Sequence, residues 1–317
     1  MLIEAPVAPI VRHEVALVRR PWWRRVSLRA TPYLYVLPAL AVVALWIYRP
    51  LIQTVQYSFY RWNLLPTQPQ VAVGWTNYHE ALTLPQLWGA VRTTGIYLGG
   101  MLVMGVLIPL FIGVLTQQVG PRARSIYRAL IFVPVLVSPI VAAAVWSFLL
   151  APDGGLVNRM LGWVGLSPVS WLTTPDAARG AIVIISGWKI LGISVLIVTA
   201  GLAAISPEYH EAATVDGASR WQLFRRITLP LLSPTLLFMV ITSVLLSSQI
   251  IFPLLTSLTQ GGPSNATTDI YYLLYTFGFS SFNVGLASAT AVLFFIVFGI
   301  IAVILVQLLE RFSIYDS

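Results

Sequence analysis

The chain is predicted to be all-α, a polytopic membrane protein with six transmembrane helices. Three observations carry that prediction. Hydrophobic residues fill 57% of the 317 positions and charged residues only 9%, where a soluble domain carries about 25% charged residues; the mean hydropathy is +0.82. Several apolar runs reach the roughly 20 residues with which a helix crosses about 30 Å of hydrocarbon. Alternating strands of the kind that build a membrane β-barrel do not occur.

The spans are placed at 33–58, 93–118, 129–150, 181–204, 234–256 and 284–309. Residues 1–30 precede them as a basic tail holding Arg12, Arg19, Arg20, Arg24, Arg25 and Arg29, too long and too basic for a cleavable signal. The first span opens YLYVLPALAVVALWIY, meets Arg49-Pro50 and is expected to continue as helix. The 61–92 and 151–180 loops, with their Pro, Gly and Trp, are expected to form short interfacial helices. The 257–283 segment begins with the turn-rich LTQGGPSNATTD and goes on to YYLLYTFGF, apolar but too short to span. It lies at the outer surface or dips back into the membrane. Residues 31–310 are read as one transmembrane domain, with 311–317 as a short tail.

Arginine placement orients the chain. With both termini cytoplasmic, the inner segments hold thirteen arginines and the outer loops four, Arg61, Arg92, Arg159 and Arg179. The 206–233 loop then faces the cytoplasm. The same flanking positions account for the net charge of +8, so nucleic-acid binding does not follow from it. The chain has no cysteine, and His13, His79 and His210 are isolated. Thiolate chemistry is excluded, and no His cluster offers a metal site.

Between the fourth and fifth spans stands a polar island, EAATVDGASRWQLFRRITLP. Ser206 can cap a helix, Pro207 suits its first position, and Glu208 complements its positive end. That helix is expected to run to about Asp216 and stop at Gly217. A second short helix is expected to rest Leu223, Phe224 and Ile227 on the membrane core. Small Ala212 and Ala213 let a partner approach the backbone, and Glu211 and Asp216 supply charge at either end. A rigid docking knob and an ordinary interfacial connector both fit these residues.

The island resembles a known motif. Glu211-Ala212-Ala213, three residues, Gly217, nine residues, Ile227, one residue, Leu229-Pro230 matches the EAA loop of binding-protein-dependent ABC importer permeases. SFYRWN, VGWTNYHEAL, FVPVLVSPIVAAAVW, Trp188-Lys189, LTQGGPSNATT and FNVGLASAT extend the resemblance to the carbohydrate-type permeases of maltose and glycerol-phosphate importers. Among these the Ugp-type sn-glycerol-3-phosphate or glycerophosphodiester permease looks nearest. The resemblance implies a type I ABC importer permease fold in a prokaryotic inner membrane. It implies that Glu211, Ala212, Ala213, Asp216 and Gly217 contact a cytoplasmic ATPase. It also implies two such ATPase subunits, a second homologous permease and an extracytoplasmic solute-binding protein. Gly261, Gly262 and Pro263 would meet that binding protein or the solute gate. A sugar or oligosaccharide is the alternative cargo.

A P-loop needs a lysine behind a Gly-rich turn. The only lysine, Lys189, sits in ISGWKI, so ATP and Mg are expected on a partner. The chain is expected to be a transport subunit and not an enzyme. Lys189 lies roughly 12 Å into the fourth span at about 1.5 Å per residue. A charge at such depth faces a cavity, a partner or backbone carbonyls. A solute-path role and a structural tie are both open for it, as they are for Ser248 and Gln249 in the fifth span and Ser138 in the third. An ion-coupled secondary transporter is the remote alternative. It would show intramembrane carboxylates, and no Asp or Glu falls in a predicted span. A membrane enzyme would need a His–carboxylate or metal cluster, and a channel a charged ring or filter.

Overall fold

The computed structural model describes residues 22–312 apart from 66 and 118. The predicted N-terminal tail up to residue 21 and the C-terminal tail from 313 lie outside the described residues. Two compact units are formed, one through Gln53 and one from Thr54 onward. Among the described residues, five helices are long and apolar enough to cross a membrane, or six when one bent pair is counted as a span.

The first unit holds α1 (Trp22–Val43), a π-helical turn (Ala44–Tyr48) and the start of α2 (Arg49–Tyr57). Helix persists through Arg49-Pro50 because the wider turn precedes Pro50. Proline has no N–H to donate and its ring pushes on the carbonyl four residues back. An extra residue in that turn relieves both. The device recurs: a π turn at Val103–Leu107 precedes Pro109, and one at Phe224–Thr228 precedes Pro230.

The second unit begins with a short hairpin, β1 (Tyr60–Arg61) and β2 (Val71–Ala72), paired antiparallel. Helix α3 (Thr76–Thr83) folds over it. Asn77 Nδ2 donates to the carbonyls of Ser58 at 2.8 Å and Tyr60 at 3.0 Å. Three of the sequence segments that carry the resemblance therefore meet here, since Val284 N also donates to Trp62 O. Next come α4 (Pro85–Leu102) and, past its π turn, α5 (Ile108–Thr116). This span starts earlier than residue 93 because Pro85 opens the helix at its first turn.

The third span, placed at 129–150, is not one helix. It consists of α6 (Pro121–Leu136) and α7 (Pro139–Leu149), bent by 100°. Proline disfavours helical geometry in the residue before it. Ser138 accordingly is extended, ψ 150°, and becomes the N-cap of α7, accepting from Val141 N at 3.3 Å. Helix α8 (Leu156–Trp163) follows in the next loop. Its Asn158 is buried, with Nδ2 donating to the carbonyls of Ala151, Pro152 and Val169 and Oδ1 accepting from Trp171 Nε1.

Helix α9 (Pro175–Ala204) is the axis of this unit. Of its most apolar window, 61% lies inside the protein, against 28% or less for the other four unbroken candidate spans. Tyr97 and Met101 of α4 pack on Ile182 and Ile190 of α9, and Ala142 and Ala143 of α7 on Ala181 and Ile185. A Cβ on Gly192 would fall 2.5 Å from the Ile131 carbonyl oxygen, so glycine is what lets α9 touch the backbone of α6. The loop after α9 carries α10 (Pro207–Val215), α11 (Arg220–Leu223), a π turn and α12 (Leu229–Leu231). Helix α13 (Ser233–Leu258), short α14 (Ile270–Tyr275) and α15 (Val284–Phe312) complete the chain.

Candidate functional site

Three places hold the residues singled out from the sequence. The first is the loop between α9 and α13. Ser206 Oγ accepts from Glu208 N at 3.4 Å and Pro207 opens α10. The far end closes in a Schellman motif: Ala218 N donates to Ala213 O at 3.0 Å and Gly217 N to Thr214 O at 3.1 Å. Gly217 takes φ +77°, and a Cβ there would meet nothing within 4 Å. Glycine is needed at this position for its backbone, not for room. Glu211, Ala212, Asp216 and Gly217 are exposed, whereas Ala213 is turned inward and buried. Ser219 and Gln222 form a capping box on α11, and His210 Nε2 meets Thr228 Oγ1 at 3.2 Å, tying α10 to the π turn. Asp216, Gly217, Gln222 and Arg226 line an open polar pocket of about 310 Å³ beside α10. Sequence reasoning missed Val215, 87% exposed, and Tyr209 and Trp221. Their signal was available: large apolar side chains inside a polar island.

The second place is the break between α6 and α7. Lys189 is buried, and Nζ donates to the carbonyls of Pro134 and Val137. Ser138 is the next residue, with its hydroxyl occupied as the cap of α7. Trp188 packs edge-on against Trp146 of α7 at 5.8 Å.

The third is the 259–269 loop and the cavity under it. Gln260, Gly261, Ser264 and Asn265 all have positive φ. Thr267 N donates to Gly261 O, and Thr267 Oγ1 donates to Gly262 O at 2.8 Å. Ala266 N donates to Pro263 O. The two spans α4 and α9 grip this loop: Arg179 Nε and Thr93 Oγ1 both donate to Ala266 O, and Tyr97 OH to Thr267 O at 3.0 Å. Thr94 Oγ1 accepts from Ile270 N. A cavity of only about 10 Å³ beneath is lined by Thr94, Tyr97, Ser247, Ser248, Asp269 and Tyr271. Ser248 Oγ donates to Leu245 O at 3.3 Å. Gln249 is exposed on another side of α13 and does not line the cavity.

Asp269 was missed by sequence reasoning, being in a loop and not in a span. It is 3% exposed and caps α14 by accepting from Tyr272 N at 2.8 Å. Burial pushes its carboxyl up to about 6, and the Tyr272 N–H holds it below where burial alone would take it. Nothing in the local sequence announces this, because the elements that bury it come from elsewhere in the chain.

Comparison with known proteins agrees with this architecture. Residues 105–314 match the family described as binding-protein-dependent transport system inner membrane component. The trehalose/maltose transport system permease protein MalF of Thermococcus litoralis is 33% identical over 266 residues, which cover 83% of this chain and 88% of that one. The sn-glycerol-3-phosphate transport system permease protein UgpA of Pectobacterium atrosepticum is 29% identical over 282 residues, covering 88% and 94%. A crystal structure of a bacterial ABC transporter involved in the import of the acidic polysaccharide alginate superposes with a TM-score of 0.79 at 25% identity, over 92% of this chain and 98% of that one. With its type I importer permease fold, the chain belongs to the family of binding-protein-dependent transport system inner membrane components, the permeases of ABC importers of the carbohydrate-uptake type.

Proposed function

We propose that this permease moves a small polar solute by alternating access, driven by a separate ATPase that docks on α10. The observation that carries the reading is the construction of α10: capped at both ends, tied to the π turn by His210, and exposing Glu211, Ala212, Val215 and Asp216 to a partner. Such a helix transmits displacement as a rigid body. It stands two residues beyond α9, so a push on α10 is a push on the axis of the unit. Gly217 sets the exit angle, and Ala213 fixes α10 from its buried side. The partner binds ATP and Mg. A second, homologous permease completes the pathway, two ATPase subunits serve the pair, and a solute-binding protein delivers cargo to the 259–269 side, where Gly261, Gly262 and Pro263 lie. Both termini and α10 then face the cytoplasm, in keeping with the arginine distribution.

Within the carbohydrate-uptake class, sn-glycerol-3-phosphate or a glycerophosphodiester is the proposed cargo. A sugar or oligosaccharide is the second reading, favoured by the 33% identity with a trehalose/maltose permease. Ser248 is the path residue best supported, because it shares the cavity under the outer loop with Asp269. Gln249, exposed on this chain, would reach solute only from a surface shared with the second permease.

Replacing Gly217 by tryptophan in the assembled complex tests the docking role. Transport and stimulated ATP hydrolysis should both drop while membrane insertion persists, and unchanged transport would refute it. Uptake of labelled glycerophosphocholine measured against a disaccharide decides the cargo; preference for the disaccharide selects the second reading.

A further inference from the structure

The break in the third span poses a physical problem. A helix that ends inside hydrocarbon leaves carbonyls without partners, and no water is there to take them. Where the chain turns by 100°, Pro134 O already takes the Val137 N–H at 3.3 Å, so the need for a further donor falls on Val137 O, past the helix end. Lys189 answers it from 52 residues away, its ammonium reaching Pro134 O and Val137 O together. At least two of its three N–H groups are thereby committed. The lysine does not act alone. On successive turns of α9, Gly192 lies against the Ile131 carbonyl of α6, Lys189 against the break, Trp188 against Trp146 of α7, and Ile185 against the α7 alanines. One helix thus touches both halves of the broken span and the joint between them.

We propose that Lys189 is a positioning residue for transport: it locks α6 and α7 at a fixed angle to each other and to α9, so that movement of α9 carries both halves of the broken span as one body. This rests on the reading that α10, at the foot of α9, receives the drive. Without Lys189 each half keeps its own packing on α9, but the joint between them loses its tie, and part of the displacement of α9 is lost as swivelling between α6 and α7. A lysine engaged by carbonyls on this scale serves every cargo alike. A lysine that held an anionic cargo would not.

The chain has no cysteine, so a pair introduced at Ile126 on α6 and Val145 on α7, both exposed, supplies its only thiols for spin labels, with the partner subunits prepared free of reactive cysteine. The experiment uses the full complex in lipid nanodiscs, with and without ATP, and measures the label–label distance distribution by pulsed EPR. The wild-type lysine should give one narrow distribution in each state, and K189R, which keeps the donors, should do the same. K189M should give a broad distribution in both states. In proteoliposomes, K189M should retain ATP hydrolysis stimulated by the binding protein while uptake of labelled glycerophosphocholine and of maltose, whichever the complex accumulates, falls about tenfold per ATP hydrolysed. Loss of stimulated hydrolysis in Gly217 variants but not in K189M separates failure of docking from failure of the joint. An unchanged distribution in K189M, or unchanged uptake per ATP, overturns the proposal. So does, in a complex that accumulates both probes, a defect confined to the phosphate-bearing one. Should K189M not assemble, K189Q, whose shorter side chain cannot reach both carbonyls, is read with the same labels: broadening supports the joint and a narrow distribution overturns it.

Discussion

The loop around α10 and the loop at 259–269 both follow a long span and both turn on glycine, yet they are built on opposite plans. The α10 loop satisfies itself. Its caps, Schellman motif and capping box all lie within residues 206–222. The 259–269 loop adds to its own hydrogen bonds a grip from outside, by Thr93, Thr94 and Tyr97 of α4 and Arg179 of α9. A self-satisfied loop presents a stiff surface and leaves its outward face free for a partner. A loop gripped by spans follows those spans when they move. Under the docking proposed for α10, the difference would let force enter at one loop and a change of shape reach the other with no flexible linker at either.

The glycines give the sharpest way to break the comparison. A Cβ on Gly261 would sit 2.6 Å from Thr268 Oγ1 and 2.8 Å from a Tyr272 ring carbon, at φ +83°. Gly261→Val is therefore expected to cost at least about 3 kcal/mol, overpacking added to backbone strain, and to lower the apparent Tm of the purified complex by many degrees. Asp269 gives the next largest effect. Its pKa rises on folding from 3.8 to about 6, so the folded state binds the proton more tightly. That stabilisation is full below 3.8 and is lost as pH climbs through about 6, an effect of about 3 kcal/mol. Thermal scans across this window should show wild type losing stability relative to Asp269→Asn as pH rises; parallel curves would contradict the burial of the charge.

Gly217→Val should do less, about 1–2 kcal/mol, because only the left-handed backbone resists the side chain. The complex should assemble with near-normal stability while stimulated ATP hydrolysis falls. Equal thermal damage from the Gly217 and Gly261 substitutions would erase the contrast drawn above. The smallest change is Ser206→Ala. The cap hydrogen bond is long at 3.4 Å, so a loss of about 0.5–1 kcal/mol is expected, read as a slight fall in Tm with docking intact.

What the sequence made legible was what it encodes locally. Ser206, Pro207 and Gly217 mark the ends of α10 because capping depends on neighbours only a few positions away. The apolar runs announce the spans because length and composition suffice to cross a bilayer. The break in the third span was foreshadowed by Ser138-Pro139, yet an unbroken apolar composition hid it, since hydropathy does not register backbone geometry. Lys189 could be recognised as costly but not assigned a partner, because the carbonyls that receive it depend on how α6 lies across α9. Asp269 was overlooked for the same reason: the groups that bury it, Thr94 and Tyr97, come from a helix about 170 residues earlier. Ala213 showed the converse, a small residue whose spacing matched a contact motif while the fold turned its side chain inward.

The π turns before Pro50, Pro109 and Pro230 have a consequence for how such chains can diverge. Each is in effect a single surplus residue absorbed into a helix without rotating the faces on either side. A relative that loses the proline can drop that residue and keep every downstream side chain on its original neighbour. One-residue gaps between permeases of this kind are therefore expected at those three turns, since an insertion placed anywhere else in the same helices would swing the packed face by about 100°.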